Sequence, residues 1–251
     1  MLTSRQLAND LYRHRSRKPA PRPFYILMCG AVSALSIYGA CRTMLAEAWT
    51  APTLFQVIAA AGVVLAMGWF GLLMTQTVLV RMERTFDHRR LGRLGAVLGV
   101  ATPLVVLSGA IVRARAKAVL APEVYAQAEV MMAVHLLNGL TFLGCLSLAL
   151  AHREAPDFHR RWMLLTMLAL VPDAVMGSDP TVLRMFSIYG TVDGLLLVAV
   201  ARDGLRLGRI HRAYRTSLLP LALVQSVILA VYVARWPVCL AVIDSVLFGR
   251  V

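Results

Sequence analysis

Residues 130–178 read VMMAVHLLNGLTFLGCLSLALA (130–151), then HREAPDFHRR (152–161), then WMLLTMLALVPDAVMGS (162–178). Two apolar runs flank a short charged link. Roughly 20 consecutive apolar residues are needed to cross about 30 Å of hydrocarbon, and each run is of that order. The apolar residues come in blocks, without the two- or three-to-four-residue rhythm of a half-buried element, so a bilayer is the solvent they suit. The same alternation of block and charged link repeats along the chain. Candidate spans fall at about 24–46, 54–80, 91–112, 130–151, 162–178, 185–205 and 216–241. The fifth is short and holds Pro172, Asp173 and Gly177, and the last could break near Arg235-Trp236-Pro237. Seven spans are expected, with six as the alternative.

Composition agrees. Of the 251 residues, 59% are hydrophobic and 16% charged, with a mean hydropathy of +0.68. A soluble domain carries about 45–50% apolar and about 25% charged residues. The formal net charge is +13, yet the basic residues sit in clusters between apolar blocks and form no continuous basic face. Nucleic acid is therefore excluded as a partner, and anionic lipid headgroups are expected instead. Cys29, Cys41, Cys145 and Cys239 form no CxxC pair, so neither a disulfide framework nor a thiolate metal site is read.

Charge asymmetry sets the expected orientation. Nineteen of the 26 basic residues lie before span one or in the links after spans two, four and six; seven lie on the other side. The positive-inside rule then places the N-terminus in the cytoplasm of a multi-pass protein of the cell inner (plasma) membrane. Residues 1–23 read as a basic cytoplasmic segment, with Leu2, Leu7 and Leu11 among Arg5, Arg13 and Arg15 suggesting an interfacial helix. Ala46-Glu47-Ala48 is a faint cleavage signal, and a retained first span is expected. Trp49 and Trp236 fit an outer aromatic belt, and 113–129 is the only sizeable loop expected. Residues 24–251 form one all-α transmembrane domain.

Three links repeat a motif. Asp87-His88-Arg89-Arg90 joins spans two and three, Asp157-Phe158-His159-Arg160-Arg161 joins spans four and five, and Arg209-Ile210-His211-Arg212 joins spans six and seven. A His-Arg pair opens each returning helix on the cytoplasmic side. Asp87 and Asp157 are placed as N-caps, and Pro103 and Pro172 lie within the helices that follow. Neutral imidazole is the commonest metal ligand, so His88, His159 and His211 could bind a metal, or two of them a haem iron. The plainer reading is interfacial: Arg89, Arg90, Arg160, Arg161 and Arg212 would contact lipid phosphates or another anion.

A second group lies inside the bilayer, where an ionisable residue costs about 2.5–3.5 kcal/mol on insertion scales. His135 and Asn138 share a face of span four. With Asp173 on span five and Asp193 on span six they could line a polar pocket for a proton, a cation or a quinone headgroup. Gly95 and Gly99 have the GxxxG spacing of close helix packing.

These motifs, in order from HRRLGRLG (88–95) through HRRWML (159–164) and DGLLL (193–197) to GRIH (208–211), resemble a family of uncharacterised bacterial multi-pass proteins recorded only as predicted membrane proteins or domains of unknown function. The resemblance covers roughly 54–240 and implies that His88, His159, Asp193 and His211 are the marked positions. A looser resemblance is to small di-haem b-type cytochromes. No second deep histidine pairs with His135, so at most one haem b, at the cytoplasmic side, is implied.

Three functions stay open. One is a haem- or metal-linked redox protein interacting with a quinone. Another is a small-solute or proton transporter or channel. The third is a non-catalytic accessory or assembly subunit of a membrane complex, self-associating or docked on a partner subunit. No Gly-rich phosphate loop, nucleophile elbow or HExxH is found, so a non-enzymatic role is expected.

Overall fold

A computed structural model describes residues 24–47, 53–120, 125–176 and 181–234, together with positions 241 and 245. Among these residues lie seven long helices: α1 (Phe24–Glu47), α2 (Thr53–Arg81), α3 (Thr85–Leu120), α4 (Tyr125–Ala151), α5 (Pro156–Met176), α6 (Val182–Leu207) and α7 (Arg212–Ala234). The basic segment before Phe24, both belt tryptophans and the proposed break at 235–237 lie outside the described residues. The loop expected at 113–129 is mostly helix, because α3 runs on to Leu120 and α4 starts at Tyr125.

Six helices are long and apolar enough to cross a membrane. The exception is α5, whose 21 residues include Asp157, Arg160, Arg161 and Asp173. The outer surface is apolar: Leu183 is 76% exposed, Val64 68% and Leu219 67%. A water-soluble monomer does not leave so many large aliphatic side chains exposed. The hydroxyls on that surface turn back to their own helices, as Ser187 does to the Leu183 carbonyl and Ser226 to that of Ala222, which satisfies them without water. The chain is a multi-pass helical membrane protein.

The helix poorest in lipid-like character is the centre of the bundle. α5 packs against α1, α4, α6 and α7. Arg161, Trp162, Leu164 to Leu168, Leu170 to Pro172 and Met176 are all buried. Neighbouring helices, not lipid, surround it, so it can carry charge. At 21 residues it is about 31 Å long. Close approach of α1 to α5 depends on Gly39, where a Cβ would lie 2.7 Å from the Ala174 carbonyl oxygen and from Val175 Cα. The GxxxG face of α3 points inward: a Cβ on Gly95 would meet Leu72, and one on Gly99 would meet Trp69 and Leu146.

The three His-Arg links are tight turns. Asp87 and Asp157 lie inside the first turns of α3 and α5 and not at the capping position before them. For α5 the reason is Pro156, whose fixed φ and missing N–H suit the first helical residue and start the helix earlier. Asp87 accepts from Arg84 at 2.7 Å, and Asp157 from Arg160. Gly208 ends α6 at φ +64, the left-handed conformation in which a side chain is strained.

Candidate functional site

The turns meet at one end of the bundle. The rings of His88 and His159, from different turns, stand 6.4 Å apart centre to centre and nearly perpendicular. Phe158 packs edge-on against His211 at 4.7 Å and stacks on His152 at 5.2 Å. The structure thus brings His88 and His159 together, while His211 joins them only through Phe158.

Hydrogen bonds fix how each imidazole can act. His159 Nδ1 is 2.8 Å from the Ala149 carbonyl oxygen, which can only accept, so Nδ1 carries the proton and Nε2 the lone pair. An imidazole held this way by a backbone carbonyl is the usual outer support of a metal ligand. The His88 ring lies at the backbone of Gln76; its Nδ1 and both side-chain amide atoms of Gln76 are buried with no hydrogen-bond partner. His211 differs: its Nδ1 accepts from the Ala213 N–H at 3.2 Å, which caps the start of α7. Burial, followed by the Arg161 charge, lowers the His211 pKa. Among the described residues no three His, Cys, Asp or Glu side chains are grouped to hold a metal ion.

Separation tests what the pair could share. A metal–imidazole bond of about 2.1 Å puts the metal about 3.2 Å from the ring centre. Two rings on opposite sides of one metal are then about 6.4 Å apart, and about 5.2 Å in a tetrahedral site. The observed 6.4 Å between ring centres is closer to the longer of these two spacings. Two protein ligands suffice for a haem iron, whose other positions the porphyrin fills.

Beside the turns lies a buried charge cluster that the sequence reading largely missed. Arg161, expected with the interfacial arginines, is 1% exposed. Its Nε donates to Asp203 Oδ2 at 2.5 Å and its Nη1 to the Asp157 backbone carbonyl. Asp203, also 1% exposed, takes a second bond from Arg202 Nη1 at 3.0 Å. By contrast, Arg89, Arg90, Arg160 and Arg212 are exposed, as lipid or anion contacts require. The signal for Asp203 was its position: a lone carboxylate in an arginine-rich turn of α6, where another carboxylate opposes the local charge rule unless it has a partner.

Deeper in the bundle, three of the four expected pocket residues do meet. His135 Nδ1 lies 3.0 Å from Asp173 Oδ1, and Asn138 Nδ2 donates to the same oxygen at 2.8 Å. Tyr189, not foreseen, donates its hydroxyl to Asn138 Oδ1 at 3.0 Å. It stands four residues before Asp193, on the same face of α6. Asp193 itself takes a different partner, the Gln225 amide at 3.0 Å. Asn138, Thr141, Tyr189 and Gln225 edge a small cleft of about 30 Å³, otherwise lined by aliphatic side chains such as Leu168, Val192 and Val224. The two carboxylates therefore reach the cleft through amides: Asp173 through Asn138, Asp193 through Gln225.

The chain matches no protein-family model, no curated protein and no solved structure.

Proposed function

We propose that this integral membrane protein is an electron carrier of the inner membrane, with seven spans and a cytoplasmic N-terminus, in which His88 and His159 would hold one haem b. The observation that carries this reading is the approach of two imidazoles from separate turns to 6.4 Å, with the His159 lone pair left on Nε2 by the bond to Ala149. A bound haem supplies one-electron chemistry. The protein's share is to bring the two rings together and to fix the His159 tautomer. A quinone is the partner this reading implies.

A reduced-minus-oxidised visible spectrum of protein expressed with ample haem, with metal analysis on the same sample, is the test. Near-stoichiometric b-type bands are expected, abolished in His88→Ala and in His159→Ala but kept in His211→Ala. A featureless, haem-free spectrum from folded protein rejects the reading.

The Asp173–His135–Asn138–Tyr189 network favours a second reading, proton or small-solute transport. That reading requires a pH-dependent flux in proteoliposomes which Asp173→Asn or Asp193→Asn removes; equal flux in wild type and both variants counts against it.

A further inference from the structure

The guanidinium groups of Arg160 on α5 and Arg202 on α6 lie 5.4 and 5.1 Å from the centre of one ring, that of Tyr25 at the start of α1. Arg202 also covers Phe24 at 4.5 Å. Two like charges from different helices are therefore gathered at one aromatic platform, near the end of the bundle that carries the turns.

The carboxylates nearby do not balance them. Asp203 is shared between Arg161 and Arg202. Asp157, whose side chain is 67% exposed, serves Arg160. Among the described residues three arginines face two carboxylates, which leaves one positive charge over. Stacking on a ring occupies the flat face of a guanidinium and leaves its N–H edge free for a planar, forked contact. Arg202 uses Nη1 on Asp203, but its Nε is buried with no acceptor. The hydroxyls of Tyr25 and Tyr214 are buried and face each other, with no other hydrogen-bond partner. Groups able to donate surround this point, and buried donors are almost always satisfied.

We propose that Arg160 and Arg202, stacked on Tyr25, bind a phosphate-bearing anion, either free in solution or carried on a lipid headgroup. A phosphate offers several oxygens to two forked donors at once, which a chloride cannot, and its charge offsets the surplus arginine. Arg202 lies within the last two turns of α6, at the level where a helix leaves the bilayer and headgroup phosphates reside. This site is separate from the paired imidazoles, and its occupancy does not depend on haem.

Delipidated full-length protein is heated with millimolar inorganic phosphate, with chloride at the same ionic strength, and in nanodiscs of phosphatidylglycerol or phosphatidylcholine. Saturation of one site raises the midpoint by about 5 °C or more. A rise with phosphate over chloride identifies a soluble phosphate compound as ligand. A rise with phosphatidylglycerol over phosphatidylcholine, without one for inorganic phosphate, identifies the anionic headgroup. Either rise must disappear in Arg160→Gln/Arg202→Gln. Should that variant not fold, Arg160→Lys/Arg202→Lys keeps the charge, loses the fork, and must weaken binding at least tenfold. No rise with either ligand, or the same rise or affinity in the substituted protein, overturns the proposal.

Discussion

Replacing Asp203 by leucine should destabilise the protein far more than replacing Arg161 by methionine, although the two residues are partners. The asymmetry follows from what each change leaves behind. Without Asp203, Arg161 keeps its charge at 1% exposure. It retains only the Asp157 carbonyl and the solvent-facing Asp157 carboxylate, which is 3.8 Å away. Stranding a buried charge costs about 3–5 kcal/mol. Without Arg161, Asp203 still holds Arg202 at 3.0 Å, a partner with some access to water, so the loss should be about 1–3 kcal/mol. The double variant removes both buried charges and should recover to within roughly 1–2 kcal/mol of wild type, since well-packed apolar replacements of buried ion pairs are often near neutral. For a chain of this size each kcal/mol is worth about 2–4 °C, so Asp203→Leu should melt roughly 6–20 °C early. The assay is built into the protein. Cys29 and Cys145 are buried free thiols and Cys41 is an exposed one, so a thiol-reactive dye labels Cys41 at once and the buried pair only on unfolding. If Asp203→Leu is the milder single change, or if the double variant is as unstable as the sum of the two, the buried-pair argument fails.

Three further outcomes follow from the same geometry. Gly39→Ala should cost about 1–3 kcal/mol, because its Cβ meets α5 backbone at 2.7 Å; Gly194→Ala, with nothing within 4 Å, should be neutral or slightly stabilising in the same melt. Tyr189→Phe strips the donor from buried Asn138 Oδ1 and should cost about 1–3 kcal/mol, with no change in any haem spectrum. His211 has a lowered pKa, so below about 6.5 the unfolded chain takes up a proton that the folded one refuses. Stability contributed by this group is then complete above that pH and declines as the pH falls toward the folded value. His211→Asn should flatten that part of the pH–stability curve, and an unchanged slope would show that other groups set it.

The fold was legible where lipid dictates composition. Long apolar blocks and charged turns located all seven helices, with ends differing most where hydropathy stops being informative, as at 113–120, where α3 continues past its apolar part. The candidate site was legible by residue type but not by partner. His135, Asn138 and Asp173 stood out because polar groups inside a span need a reason, and they do meet. Which carboxylate faces which amide depends on helix rotation, so the Gln225 partner of Asp193 and the Tyr189 hydroxyl went unseen. Arg161 and Asp203 sit 42 residues apart, and each alone looks like an ordinary interfacial charge.

The largest difference between expectation and structure has one physical cause. Hydropathy measures how well a helix tolerates lipid, and the innermost helix of a bundle touches little of it. Helix α5 scores worst as a span because it carries Asp157, Arg160, Arg161 and Asp173, yet four other helices pack against it. Its charges are admissible there because neighbours answer them: Asp203 answers Arg161, and His135 with Asn138 answer Asp173. A short, charged, otherwise apolar segment among cleaner spans thus marks the centre of the assembly. Every cluster described above draws on α5 or on a residue touching it: His159 in the imidazole pair, Arg160 and Arg161 in the arginine groups, and Asp173 beside the cleft. Function in a bundle of this kind is expected on the helix that hydropathy is quickest to doubt.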